Sequence, residues 1–305
     1  MLRILANDGM EKKTIEILEK KGFEVLSGHL DGDDLLKEVK NIDCLIVRSA
    51  TKVRKDLIDI AASTGRLKLI IRGGVGIDNI DAAYAIEKGI QVNNTPNASS
   101  ISVAEMTFGH MLSVSRKIYL SNVTMREGKW EKKKYQGTEL YGRTLGLIGF
   151  GRIAREVAKR AVAFGMKVMY YDICTAENTG ECICATKDGI LRESDFISLH
   201  IPYKKGEPYV IGEKEFQIIK KGAYIINCAR GGVIDENALV KALDEGKIAG
   251  AALDVFEKEP PANELIIKNP KISLTPHIGA ATVEAQERIG DEIVNIIDKF
   301  FNNKN

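Results

Sequence analysis

Cysteine, tryptophan and net charge are all scarce in this 305-residue chain. Its five cysteines make an odd number, in a chain long enough to need no staples. A disulfide scaffold is therefore excluded, and reduced thiols in the cytoplasm are the simpler reading. Cys182 and Cys184 stand two apart with Cys174 upstream, but a zinc site needs a second ligand pair at suitable spacing. None is present, so no metal is expected. The 44 basic and 42 acidic side chains leave +2, which gives no bulk attraction for nucleic acid. No apolar run approaches the ~18 residues that span a membrane. The start, Met1-Leu2-Arg3-Ile4-Leu5-Ala6-Asn7-Asp8, meets an acid too early for a signal peptide and reads as a first strand. What remains is ordinary globular composition, 44% hydrophobic and 28% charged, at a length that suits two domains.

Short β-rich runs alternate with helical ones. Strands are expected at residues 2–6, 23–26, 43–47, 67–71 and 91–93, with helices at 11–20, 33–39, 55–62 and 82–87. The strands are apolar without alternation, the signature of a parallel sheet covered on both faces. A second series starts at Thr144, with about six strands at 144–149, 167–171, 196–200, 223–227, 249–255 and 272–274. Between the series runs a long helical stretch, 100–120, continuing in broken form to Trp130. It reads as a connection between domains. The last segment, 283–301, is one amphipathic helix, with Ile289, Ile293, Ile296, Ile297 and Phe300 along one side.

The strand at Leu145–Ile148 runs into Gly149-Phe150-Gly151-Arg152-Ile153-Ala154 and then a helix. This G-x-G-x-x-A pattern has a mechanism. The first glycine makes the tight turn, the second lets a pyrophosphate approach the backbone, and small Ala154 lets helix and strand pack closely. The helix N-terminus offers free N–H groups to phosphate. The next strand ends in Asp172, 23 residues after Gly149. An acid there accepts from the adenosine ribose hydroxyls and repels a 2′-phosphate, so NAD is expected over NADP. The bland alternative is a glycine turn followed by a solvated aspartate.

Open α/β sheets bind ligands beyond the carboxyl ends of their strands. Three polar residues fall there in the second series: Arg230 after 223–227, Glu259 after 249–255 and His277 after 272–274. Hydride removal from an alcohol needs a base for the hydroxyl proton and a cation for a substrate carboxylate. An imidazole titrates near ~6.5 and suits the first task. A guanidinium grips a carboxylate with two hydrogen bonds and suits the second. Singly, each residue has an ordinary structural explanation; the triple beside a cofactor motif favours chemistry.

These stretches resemble the NAD-dependent D-isomer-specific 2-hydroxyacid dehydrogenases. The resemblance extends to Arg72-Gly73-Gly74-Val75-Gly76-Ile77-Asp78 and Asn94-Thr95-Pro96-Asn97, and covers nearly the whole chain. It implies that Arg230 binds the carboxylate and carbonyl of a 2-oxo acid, His277 exchanges the hydroxyl proton, and Glu259 tunes His277. It implies that Cys228, Ala229, Asp254 and the His277–Ala280 turn, Gly279 included, line the nicotinamide side, and that Ile201 meets the cofactor through its backbone. Val75 is a departure, because relatives often carry threonine there. The implied architecture is two doubly wound parallel α/β domains. A Rossmann NAD domain, 96–278, is inserted into a flavodoxin-like substrate domain made of 1–95 and 279–305. Substrate is expected between them, its carboxylate on backbone N–H groups at Gly74–Gly76 and on Arg230.

Within the family, Val47–Val53, Gly128–Lys133, Tyr135–Leu140 and Pro276–Ala280 resemble the D-3-phosphoglycerate dehydrogenase branch, in a short form. Serine feedback through a C-terminal regulatory domain is then expected to be absent. Arg48 and Arg72 end two strands of the first series. Two cations suit a substrate with phosphate as well as carboxylate, although solvation or pairing with Asp78 or Asp81 would also explain them. A glyoxylate or hydroxypyruvate reductase would use the same triad without Arg48. An NAD-sensing, corepressor-like binding protein would share the fold. A homodimer is expected through residues 100–130, from the apolar excess at Met106, Phe108, Met111, Leu112 and Trp130, although packing within one subunit explains these almost as well.

Overall fold

The computed structural model describes residues 1–173, 179–203 and 206–302. Cys174 lies outside the described residues. The chain divides into two compact units, one of Met1–Ser99 with Ala280–Asn305 and one of Ser100–Gly279.

The first unit carries five parallel strands, β1 (Arg3–Ala6), β2 (Glu24–Ser27), β3 (Cys44–Val47), β4 (Leu69–Arg72) and β5 (Gln91–Asn94). Their order, β2-β1-β3-β4-β5, is the flavodoxin-like one. The period of two explains why these strands are apolar throughout. Leu5, Leu45, Val47 and Ile70 enter one core, and Ile4, Ala6, Cys44, Ile46, Leu69 and Ile71 enter the other. The first core is covered by α2 (Gly32–Glu38), α3 (Lys55–Ala62) and α4 (Ala82–Glu87). The second is covered by α1 (Lys12–Lys20) and the last helix, α12 (Val283–Phe301). Ile289, Ile293 and Ile297 of α12 are buried on that sheet face, each worth roughly 1.5–3 kcal/mol of transfer from water. The Thr282 hydroxyl caps α12 by accepting from the Ala285 N–H, 3.2 Å away.

The second unit carries seven parallel strands: β6 (Thr144–Ile148), β7 (Lys167–Tyr171), β8 (Ile183–Cys184), β9 (Phe196–Leu199), β10 (Ala223–Asn227), β11 (Ile248–Leu253) and β12 (Ile272–Leu274). The order β12-β11-β10-β9-β6-β7-β8 is a Rossmann sheet whose direction of growth reverses between β6 and β9. The doubly wound fold class expected from the sequence is the one observed. One face is covered by α5 (Ser100–Arg116) and α7 (Arg152–Ala163). The other is covered by α8 (Lys187–Glu193), α9 (Glu213–Ile218) and α10 (Glu236–Asp244). The short α11 (Glu264–Ile267) precedes β12.

Three sequence expectations need correction. About six strands were expected here and seven are present among the described residues, because β8 is a two-residue edge strand too short to show periodicity. The 100–120 stretch is a layer of the second unit rather than a bare connection, and it stops early. Lys117 adopts a left-handed conformation at φ +53°, separating α5 from α6 (Ile118–Arg126). Third, Phe108 and Met111 are buried in the core of their own unit, with Met106 and Leu112 packed against it. Those four give no argument for a partner subunit. No helix among the described residues is long and apolar enough to cross a membrane.

Candidate active site

The reversal point of the second sheet positions the glycine motif. Gly149 follows β6, and its N–H donates to the Tyr171 carbonyl across the β6–β7 edge, 2.8 Å away. Its φ is +87°, and a Cβ there would stand 2.5 Å from the His200 carbonyl oxygen and 2.7 Å from the Ile201 side chain. Only glycine fits. A Cβ on Gly151, by contrast, would meet nothing within 4 Å. Gly151 is the N-cap of α7 and brings no capping side chain, so the first-turn N–H groups have no side-chain acceptor at the cap. The Asp172 carboxylate, one residue past β7, accepts the Phe150 N–H at 2.6 Å. A tight turn, a bare helix N-terminus and an acid at the adjacent strand end fit a dinucleotide. Arg152 and Ile153 open α7 itself.

Beside the motif, His200 makes a 2.9 Å hydrogen bond with the Ser198 hydroxyl, and burial lowers its pKa to about 4.

The other half of the edge holds the candidate acid–base pair. His277 Nδ1 lies 2.8 Å from Glu259 Oε2. Both side chains are 38% exposed, wet enough to exchange protons and shielded enough to interact. Burial pushes the Glu259 carboxyl upward. The His277 hydrogen bond and charge, the Phe256 N–H and the Arg230 guanidinium outweigh burial, and its pKa falls below the usual carboxylate range. Arg230 sits in a turn built by Asn227, which accepts from the Ala229 N–H at 3.0 Å and donates to the Arg230 carbonyl at 2.9 Å. The Arg230 Nη1 donates to the Ala229 carbonyl at 2.6 Å. Gly231 lets this turn press on the next strand end, since a Cβ would fall 1.7 Å from the Phe256 carbonyl oxygen. Cys228 is buried at the same strand end, and burial pushes its thiol pKa up.

His277 has a left-handed backbone, φ +54°. Its turn is held by Asp254, 1% exposed, which accepts the Ile278 N–H at 2.9 Å and the Gly279 N–H at 2.8 Å. Sequence reasoning placed Asp254 at the nicotinamide side but missed this holding role. It also missed Asn227, Thr275 and His110, each an unremarked polar residue in an apolar run whose partner lies far along the chain or in the turn itself.

Apart from Arg230, the residues named for the substrate lie on the first unit. β3 and β4 pair with Val47 opposite Arg72, so Arg48 and Arg72 end adjacent strands on the carboxyl side. The Arg48 loop is tied down. Asp8 accepts the Arg48 N–H at 2.6 Å, the Thr51 N–H at 3.1 Å and the Thr51 hydroxyl at 2.6 Å. The Asn79 amide donates to the Arg48 and Thr51 carbonyls, both at 2.7 Å. Arg72 folds back over its own loop, where a Cβ on Gly74 would fall 1.5 Å from its Nη1. The Val75 carbonyl accepts from the Asn94 amide at 2.5 Å, and Gly76 follows in that loop. Asp81 pairs with Arg54 at 2.9 Å.

Residues 108–279 match the family model described as D-isomer specific 2-hydroxyacid dehydrogenase, NAD binding domain. A hydroxypyruvate reductase of Thermotoga maritima is 47% identical over 301 residues, 97% of this chain and 97% of that protein. A D-3-phosphoglycerate dehydrogenase of Methanocaldococcus jannaschii is 45% identical over 303 residues, which is 98% of this chain but 57% of that protein. Among solved structures, D-lactate dehydrogenase from Aquifex aeolicus, complexed with NAD and lactic acid, superposes with a TM-score of 0.84 at 32% identity. That match covers 98% of this chain and 95% of the other. This chain belongs to the D-isomer specific 2-hydroxyacid dehydrogenases, NAD-dependent oxidoreductases.

Proposed function

We propose that this chain oxidises D-3-phosphoglycerate to 3-phosphohydroxypyruvate, the first step of serine synthesis, with Arg230, Glu259 and His277 as its catalytic residues. The observation that carries the acid–base part is the 2.8 Å His277–Glu259 pair on a backbone conformation that a histidine rarely adopts. His277 takes the proton of the substrate hydroxyl as the C2 hydrogen leaves with its electron pair. Bound NAD supplies the hydride acceptor. Glu259 holds the Nδ1 side, so Nε2 is the nitrogen that faces the hydroxyl and stores its proton. The Glu259 carboxylate then stabilises the imidazolium that forms. Arg230 holds the carboxylate and polarises the oxygen that becomes the carbonyl. For the cofactor, the reading assigns the pyrophosphate to Gly149, Gly151, Arg152 and Ile153 and the ribose hydroxyls to Asp172. It assigns the nicotinamide side to Ile201, Cys228, Ala229, Asp254, Gly279 and Ala280.

On the first unit, the reading assigns the phosphate to Arg48 and Arg72 and the carboxylate also to the backbone of Gly74, Val75 and Gly76. The tied-down Arg48 backbone supports it, because a loop that is already ordered loses less entropy when its side chain binds an anion. The test is NADH oxidation with 3-phosphohydroxypyruvate, hydroxypyruvate, glyoxylate and 2-oxoglutarate. Preference for the phosphorylated acid supports the assignment. Preference for an unphosphorylated acid removes it and leaves the triad standing. Hydroxypyruvate reduction is the second reading, favoured by the end-to-end match to the Thermotoga protein.

The reading includes a homodimer in the cytoplasm. Support for the dimer comes from α6, which buries no residue of its own. Ile118, Val123 and Met125 are half exposed, and Trp130 is 79% exposed. The four described cysteines are unbonded, which suits a reducing compartment. Light scattering on a size-exclusion column checks the dimer; a monomer at micromolar concentration would discard it.

A further inference from the structure

The turn that carries His277 is gripped from α5 as well as by Asp254. Asp254 Oδ1 accepts the Thr275 hydroxyl at 2.5 Å and the Ile278 N–H, while Oδ2 accepts the Gly279 N–H. A threonine hydroxyl has one proton, and here it goes to a carboxylate, which only accepts. His110 Nε2 lies 2.9 Å from the same Thr275 oxygen. That oxygen therefore turns a lone pair to the imidazole, and Nε2 must carry the proton. His110 is 2% exposed, in the middle of α5. Burial lowers its pKa and outweighs the charge of Asp254, which favours the neutral ring. Eight residues earlier on α5, the Ser102 hydroxyl donates to the Gly279 carbonyl at 2.7 Å. α5 thus holds both ends of the 275–279 turn, and the left-handed His277 lies between the two attachments.

We propose that His110 is a positioning residue for proton transfer: its Nε2–H, through Thr275 and Asp254, fixes the turn that presents His277 to the substrate. This rests on His277 being the acid–base group. His110 itself neither gains nor loses a proton in the cycle and touches no reactant.

His110→Leu removes the donor at similar volume, and His110→Gln restores an N–H donor. With NADH and whichever of 3-phosphohydroxypyruvate or hydroxypyruvate the wild type reduces faster, His110→Leu should lower kcat about fivefold to tenfold, the effect of one lost hydrogen bond at a buried site. KM and the NADH dissociation constant should stay within about twofold, and His110→Gln should recover most of kcat. The independent readout is the ring of His110 in the wild-type protein at pH 7, followed by proton–nitrogen correlation. The neutral Nε2–H tautomer is expected. The Nδ1–H tautomer, an unchanged kcat in His110→Leu, or a lower kcat that His110→Gln does not recover would each overturn the proposal. His277→Ala separates the two levels. If it retains turnover, the proposed function fails. If it is inactive while His110→Leu is normal, only the positioning role fails.

Discussion

The two units share one architecture and use its reversal point in opposite ways. Each is a parallel sheet whose growth changes direction, between β1 and β3 in the first and between β6 and β9 in the second. In both, the loops that diverge there leave room for a ligand beyond the strand ends. In the first unit that room is taken by the chain itself, since Asp8 follows β1 and gives its carboxylate to the backbone and side chain of the Arg48–Thr51 loop. In the second unit the loop at the same place is Gly149-Phe150-Gly151: Phe150 turns into the core, and the two glycines contribute no side chain and leave the α7 cap without a side-chain acceptor. One edge is filled to fix a loop; the other is left open, where the proposed reading seats the cofactor. Fold class alone therefore does not locate a site; the side chain of the first residues past the strand does.

Glycine substitutions break this comparison most severely. Gly149→Ala puts a Cβ into the His200 carbonyl, and NADH binding should be lost, by about a hundredfold or more, because the turn has to shift. Gly9→Ala, in the loop after β1, also has positive φ (+78°) but meets nothing within 4 Å. It should cost only about 1–2 kcal/mol of stability and leave NADH binding unchanged. Equal effects on NADH affinity in a fluorescence titration would remove the contrast.

Next in size is Asp8→Ala, which strips three donors of their acceptor. It should destabilise the first unit by about 2–4 kcal/mol in urea unfolding, and raise KM for the phosphorylated acid if Arg48 binds it. An unchanged midpoint would mean the loop is held by Asn79 alone. Asp172→Ala sharpens the second edge. The preference for NADH over NADPH should fall about tenfold or more, since the 2′-phosphate no longer meets a carboxylate. An unchanged ratio of kcat/KM values counts against the ribose role.

The effect that is smallest at neutral pH is one that grows as the pH falls. The folded pKa of His200, about 4, lies below the ordinary histidine value, so the unfolded chain binds the extra proton first. Stability from this group is complete above about pH 6.5 and is lost as pH falls toward about 4, with a limiting slope near 1.4 kcal/mol per pH unit. His200→Gln should flatten that part of the stability curve. A curve identical to that of the wild type would show that His200 does not titrate there.

Much of this was legible in the residues. Continuous apolar strands gave both sheets because each strand feeds two cores, as Leu5 and Ile4 do on opposite faces of β1. The Gly149 motif and the strand-end positions of Arg230, Glu259 and His277 were legible because each depends on local order along the chain. What stayed hidden depends on partners far apart in sequence. Asp8 reaches Arg48 across 40 positions, and His110 reaches Thr275 across 165. The break at Lys117 carries no glycine or proline to announce it, and the two residues of β8 are fewer than any periodicity can register.

The most direct test of the proposed catalytic edge is a paired measurement on His277→Ala: turnover of the preferred 2-oxo acid and the dissociation constant of NADH. Turnover should fall by about a hundredfold to ten-thousandfold, the usual loss of a general acid–base group, with NADH binding within about twofold of the wild type. Retained turnover, or NADH binding lost together with turnover, would contradict the assignment of His277 to chemistry and leave it a structural member of the edge.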